Sequence, residues 1–330
     1  MEAFIFKAGA FLMALFMTLI PYTGIEMPGL STKEENCKLN VGLISDTHVE
    51  ANGVFRQGFL KQGFATMKNS KNKVDAVVNC GDITNYADEP ALSQYYELIR
   101  TYSPCTVINA AGNHDIGHAG DRDVTDITRE EAMANFIRYN NEYMGMNNTS
   151  TYYSTVVNGY KFIVLGDEVI DGGHWDAVTM TQEQLDFLDA ELEEGTKDGL
   201  PSFVCCHWPF DGINGEDTIW DGSGIQPEDF EYKAKEIMEK YDNVFYISGH
   251  MHGGIRSVEV GKMYDMPLCE QVNGVTYVSL PTFGIVNQYG ITWSGLGIQL
   301  EVYENKVLFR PVNYLTGNWY TNSAYSFDLK

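Results

Sequence analysis

The sequence predicts an α/β fold formed by a single domain over residues 37–330, on three observations. Short apolar runs of strand length alternate with longer stretches of helical period, the grammar of βαβ units. Five of those runs end in polar residues able to hold a ligand, and open α/β sheets bind ligands at the carboxyl ends of their strands. A hydrophobic fraction of 44% with 13% aromatic residues in a chain of 330 is ample for a buried core.

Taken in order, Leu39 to Ser45 is the first expected strand, Gln57 to Ser70 a helix and Asp75 to Cys80 the second strand. Helix Pro90 to Tyr102 and strand Thr106 to Ala110 follow. Helix Thr128 to Tyr143 opens on Thr128-Arg129-Glu130-Glu131, a capping-box pattern, and carries Met133, Phe136 and Ile137 at helical spacing. Strands Tyr152 to Val157 and Lys161 to Leu165 flank Asn158-Gly159, a strong hairpin signal. Helix Thr181 to Glu194, strand Ser202 to Cys206, helix Pro227 to Tyr241 and strand Val244 to Ile247 continue the alternation. Beyond it the pattern is β only: Thr276 to Leu280, Gly297 to Tyr303 and Val307 to Val312, the last two joined by a turn at Glu304-Asn305. No internal repeat and no internal linker divides residues 37–330.

Residues 1–36 are set apart. Ala8 to Ile20 carries no charge and Pro21 ends the run, which matches an export signal; an uncleaved anchor is the second reading and a buried amphipathic helix the third. An exported or extracytoplasmic location follows, with membrane contact only through this segment if it is not cleaved. Ser31 to Asn36 reads as a polar linker outside the fold. The 45 Asp and Glu against 22 Lys and Arg leave a formal charge of -23, which repels polyphosphate backbones and argues against duplex nucleic acid as a partner. The six cysteines lack any C-x-x-C pair; Cys80, Cys105, Cys205 and Cys206 border apolar runs, as small buried hydrophobes do. Neighbouring Cys205 and Cys206 should face opposite sides of their strand.

The chemistry gathers at strand ends. The first strand runs into Asp46-Thr47-His48, the second into Gly81-Asp82 and the third into Gly112-Asn113-His114-Asp115. Strand Ser202 to Cys206 runs into His207, and the Val244 strand into Gly249-His250-Met251-His252. Of seven histidines, only His118 and His174 fall elsewhere. Singly, each residue has an ordinary role: a helix cap for Asp46 or Asp82, a left-handed turn for Asn113, a core imidazole for His207. Were the Val244 strand to continue straight, His250 and His252 would point to one side and both reach one site. One binuclear metal site explains the whole set.

In this order, Asp46-x-His48, Gly81-Asp82, Gly112-Asn113-His114-Asp115, His207 and Gly249-His250-x-His252 resemble the motifs of the calcineurin-like metallophosphoesterase superfamily. The resemblance implies a four-layer α/β/β/α sandwich of two mixed sheets with helices outside. It implies that Asp46, His48 and His252 hold one metal ion, that Asn113, His207 and His250 hold the other, and that Asp82 bridges them. It implies His114 as the catalytic acid, oriented by Asp115.

The donor chemistry agrees with those roles. Carboxylate, amide and imidazole donors suit Mn, Fe or Zn, and two such ions can share a hydroxide while clamping an ester phosphate. An imidazole beside the ions but not on them can protonate a leaving alkoxide near neutral pH. The expected reaction is hydrolysis of a small-molecule phosphodiester by the bridging hydroxide with His114 as general acid. A phosphomonoesterase is the alternative, and a non-catalytic binding scaffold on the same fold is the alternative of another class. His48 is present and Tyr86 stands one position too far from Asp82 for the tyrosinate-iron pattern of purple acid phosphatases. The Gly-Asp-x-x-x-Arg pattern of serine/threonine protein phosphatases is missing, and the stretch after His252 is too short for the expectation of a second substrate domain of the 5'-nucleotidase kind. The loop Asp211 to Gly224, with Glu216, Asp217, Trp220 and Asp221, is a candidate lid or an ordinary acidic surface loop.

Overall fold

The computed structural model describes residues 30–116, 127–168, 177–214, 224–226, 228–253, 255, 268–284 and 294–330. Its strands are β1 (Leu39–Ile44), β2 (Ala76–Cys80), β3 (Thr106–Ala110), β4 (Tyr153–Val157), β5 (Tyr160–Val164), β6 (Ala177–Thr179), β7 (Ser202–Cys205), β8 (Gly224–Gln226), β9 (Val244–Ser248), β10 (Cys269–Val272), β11 (Val275–Ser279), β12 (Leu296–Val302), β13 (Lys306–Asn313), β14 (Asn318–Trp319) and β15 (Tyr325–Asp328). Its α-helices are α1 (Val54–Lys68), α2 (Glu89–Tyr102), α3 (Arg129–Met144), α4 (Gln182–Gly195) and α5 (Glu228–Met238). Each helix and strand expected from the sequence is present within a few residues of its expected ends.

Two mixed sheets form the middle of the molecule. One runs β14-β13-β12-β1-β2-β3 with β15 also on β13; the other runs β10-β11-β9-β7-β5-β4. β1, β2 and β3 are parallel, as are β5, β7, β9 and β11, whereas β12 joins β1 antiparallel with Val41 opposite Leu300. The period of two along each strand separates two apolar layers. Leu39, Val41, Leu43, Val78 and Ile108 face Phe162, Phe203, Phe245 and Ile247 in a core between the sheets. Ile44, Val77, Val107, Val204 and Tyr246 point outward into the layers that carry the helices. Cys205 and Cys206 fall in different layers, as the alternation requires. A ladder of rings crosses the inner core: Phe162 stacks on Phe203 at 5.0 Å and Phe203 on Phe245 at 5.5 Å, and Phe245 meets Phe309, on the other sheet, at 5.6 Å with its ring tilted.

The helices lie outside. Met67 of α1 comes so close over β1 that a side chain at Gly42 would overlap it. Tyr95 of α2 donates to Asn109 on β3 and accepts from Asn79 on β2. The Thr128 cap forms as the sequence predicts, with Glu131 N–H donating to Thr128 Oγ1 and Thr128 N–H to the Glu131 carboxylate. The layers are thus α/β/β/α. Among the described helices none is long and apolar enough to cross a membrane.

One boundary is corrected. Residues 31–36, expected to be a linker outside the fold, are tied to the domain: Lys33 N–H donates to Glu301 Oε2 at 3.0 Å and Glu34 N–H to Tyr303 Oη at 3.1 Å. Leu30 is buried in the helix layer and its carbonyl accepts from Lys71 N–H. Glu301 is fully buried and takes a donor from the segment, which a reading of local polarity does not reveal. Residues 1–29 lie outside the described residues, as do His118, His174, Trp220 and positions 215–223 of the candidate lid.

Candidate metal centre

The carboxyl ends of β1, β2 and β3 on one sheet and of β7 and β9 on the other meet at one edge of the sandwich. Asp46 N–H donates to Gly81 O and His48 N–H to Asp82 O, which joins the first two loops. Gly249 N–H donates to His207 O, which joins the loops of the second sheet. Gly112 packs so tightly that a Cβ there would overlap Asp82 Oδ1 and the Asp82 backbone nitrogen, so the third loop reaches the second only through glycine.

The backbone at this edge is strained. Asp46, His48, Asp82, His250 and His252 all have positive φ, at 57°, 44°, 50°, 70° and 48°. Left-handed backbone costs a non-glycine residue about 1–3 kcal/mol, and surrounding contacts must hold it there. β9 stops at Ser248, so His250 and His252 are not on a continuing strand; the left-handed turns send their rings apart. His252 Nε2 lies 3.2 Å from Asp46 Oδ1 and 3.2 Å from His48 Nε2. His250 Nδ1 lies 3.3 Å from His207 Nε2.

Asp46, His48, Asp82 and His252 form a group whose ligand atoms all lie within 4.8 Å of one another. Asp82 Oδ2 is 3.4 Å from His48 Nε2 and 3.4 Å from His207 Nε2, so one carboxylate faces imidazoles of both sheets. Asn113 is buried at the head of the short helical turn Asn113–Asp115, directly after Gly112. Among the described residues, buried Asp46 Oδ2 accepts no hydrogen bond and His48 Nδ1 has no partner. A buried carboxylate oxygen without a donor is costly in water-free surroundings, and a cation supplies what it lacks. The donor set of carboxylate oxygen, amide and imidazole nitrogen fits divalent ions of the Mn, Fe or Zn kind.

The electrostatics point the same way. Burial alone would raise Asp82, but the His207, His114 and His48 rings outweigh it and hold the carboxyl well below its usual range. Asp46 is lowered likewise, burial being outweighed mainly by His252. Burial drives His48 well below its ordinary value. Burial pulls on His207 too, yet the Asp82 carboxylate wins and pushes it up to about 9.

His114 is partly buried beside the group, its ring edge-on to His48 with centroids 4.7 Å apart. Its backbone N–H donates to Asp82 Oδ1 at 3.0 Å and its Nδ1 meets the Asn85 carbonyl at 2.9 Å. The expectation that Asp115 orients this ring is corrected. Asp115 Oδ2 accepts from Ile83 and Gly112 N–H, and Oδ1 from Thr84 N–H and Thr84 Oγ1, at 2.8 to 3.0 Å. Four donors occupy the buried carboxylate, which binds the second loop to the third; the His114 ring turns instead to Asn85. Burial and the Asp82 charge push Asp115 up to about 6 against the pull of those donors.

The sequence reading missed a sixth strand end. After β11, Leu280 N–H donates to Ser248 O and Thr282 N–H to Gly253 O, then Phe283 N–H to Ser45 O and Gly284 N–H to Asp46 O. This segment straps the His250 loop to the Asp46 loop across the two sheets. A side chain at Gly284 would overlap the Thr47 carbonyl, so a glycine after an apolar run was the available signal.

A fold of this kind with an Asp/His group at its strand ends defines a class of metal-dependent phosphoester hydrolases, and the family comparison agrees. The model of the calcineurin-like phosphoesterases matches residues 39–254, and the chain belongs to that family. Among solved structures it is similar to the purple acid phosphatase PPD1 of yellow lupin (Lupinus luteus), with a TM-score of 0.57 and 15% identity over 88% of this chain. The match spans 53% of the lupin chain, about half its length, and the likeness is one of fold. A predicted phosphoesterase from Streptococcus pneumoniae TIGR4 aligns over 88% of this chain and 97% of its own at 12% identity, with a TM-score of 0.40. A comparison with curated proteins finds none that matches.

Proposed function

We propose that this protein hydrolyses small phosphodiesters at a centre of two metal ions. Asp46, His48 and His252 would hold one ion and Asn113, His207 and His250 the other, with Asp82 between them. The observation that carries the reading is the placement of Asp82 Oδ2, 3.4 Å from an imidazole of each set. Bound there, such ions offset phosphoryl charge and bring the pKa of water towards neutrality.

The chain's own groups supply the rest. A carbonyl only accepts, so the contact with Asn85 O places the proton of a neutral His114 ring on Nδ1; Nε2 would take a second proton from solvent, and the imidazolium would give that proton to the leaving oxygen. Arg56, which reaches the His48 carbonyl, is already ion-paired with Glu50, so its guanidinium is engaged rather than free to hold a second phosphate charge. A diester carries one negative charge and a monoester about two near neutrality, so the diester is preferred. Export is proposed on the uncharged run Ala8–Ile20 alone.

The test uses the full chain loaded with Mn²⁺ and assayed on bis(4-nitrophenyl) phosphate and 4-nitrophenyl phosphate side by side. Faster turnover of the diester is expected. A monoester preference refutes the substrate assignment, and no turnover of either with metal bound refutes the hydrolase in favour of a binding scaffold.

A further inference from the structure

We propose that Glu50 is a positioning residue for His114, acting through Asn85; its catalytic consequence, though not its geometry, rests on the function proposed above. Glu50 Oε1 accepts from Asn85 Nδ2 at 2.9 Å and from Arg56 NH1 at 2.6 Å. The Asn85 carbonyl accepts from His114 Nδ1 at 2.9 Å. The chain Arg56, Glu50, Asn85, His114 therefore runs without a gap from the first turn of α1 to the imidazole beside the metal group.

Each link is fixed from behind. Gly53 N–H and Gln57 Nε2 donate to the Glu50 carbonyl at 3.0 and 2.8 Å, and Arg56 NH1 also donates to His48 O. The segments 48–50 and 82–85 lie side by side, with Val49 N–H donating to Ile83 O and Asn85 N–H to Val49 O. The side-chain tie to Glu50 then sets the tilt of the peptide whose oxygen His114 uses. With Asp115 spent on backbone donors, this carbonyl is the group that selects the tautomer of the ring.

As an ion pair, Glu50 and Arg56 are partly exposed, with side chains 35% and 25% accessible, and such pairs add little to stability. The prediction is accordingly for the ring rather than for the fold. Glu50→Ala removes the acceptor that Asn85 needs, whereas Glu50→Gln keeps an oxygen for it. In the full chain, long-range ¹H–¹⁵N spectra should show His114, assigned by its loss in His114→Ala, as the Nδ1–H tautomer in the wild type and in Glu50→Gln. A mixture of tautomers is expected in Glu50→Ala, and an unchanged tautomer there overturns the proposal.

Turnover supplies the second readout. On diaryl phosphodiesters whose leaving phenols span pKa values from about 7 to about 10, Glu50→Ala should lower kcat about tenfold for the poorest leaving group and little for the best, because only the former needs the acid. KM and metal content should not move, and Glu50→Ala should cost nothing further in a His114→Ala background. Equal losses across the series, or the same loss with and without His114, overturn the positioning role. A wild type that binds metal and turns over no ester defeats the hydrolase reading, while the tautomer measurement still decides the brace.

Discussion

Asp82 and His207 meet across the two sheets, Oδ2 standing 3.4 Å from Nε2, with the carboxylate carried by the end of β2 and the imidazole by the end of β7. The contact is buried on both sides. It ties the end of β2 to the end of β7, and so joins the two face-to-face sheets at the edge where the metal group lies.

Two histidines of one loop are expected to serve different ions. His252 stands with Asp46 and His48, His250 with His207. Each of His250→Ala and His252→Ala should therefore retain one tightly held ion per chain, read by elemental analysis after gel filtration. Loss of both ions from each variant, or of neither, contradicts the division.

Asp115 and His114 should separate stability from turnover. Asp115→Asn turns one of two acceptor oxygens into a donor facing two donors, and urea unfolding should show a loss of about 3 kcal/mol. His114→Ala should lower kcat by a factor of about 100 or more with unchanged metal content. A stable Asp115→Asn variant would return that residue to the role of ring orienter.

Gly112 and Gly58 should respond in opposite directions to the same substitution. A Cβ at Gly112 overlaps Asp82, so Gly112→Ala is expected to cost about 2 kcal/mol or more and to weaken metal binding. A Cβ at Gly58, inside α1, meets nothing within 4 Å, and Gly58→Ala should stabilise by about 0.5–1 kcal/mol. Chemical denaturation of both variants decides it, and a Gly112→Ala protein as stable as the wild type rules out the close approach.

The ring ladder should be the costliest place to make a cavity. Phe203 is fully buried and stacks on Phe162 and Phe245. Phe203→Ala is expected to destabilise by about 3–5 kcal/mol, measured by urea unfolding with metal content held constant. A cost under about 1 kcal/mol would mean that the two sheets close over the gap.

Much of the fold was legible because its signals are local. Short apolar runs placed β1, β2, β3, β7 and β9, and Thr128 with Glu131 placed the start of α3. The short strands β6, β8 and β14, of two or three residues, carry too few for a period to show. The hairpin of β10 and β11 was missed although Asn273-Gly274 takes the same left-handed turn as Asn158-Gly159, with φ of 49° and 91°. Its first strand, Cys269–Val272, is half charged or polar and gave no apolar run to flank the dipeptide.

By itself the sequence determined the class of fold and the set of side chains gathered at the strand ends, since both depend on residue type and spacing along one segment. Tertiary structure alone decided how those side chains divide and what supports them. The left-handed turns that part His250 from His252, the four donors that claim Asp115, the Asn85 carbonyl beside His114 and the strap from Leu280 to Gly284 all join residues far apart in the chain. Such contacts exist only once two sheets have packed face to face, because no local period records which buried oxygen will meet which distant donor.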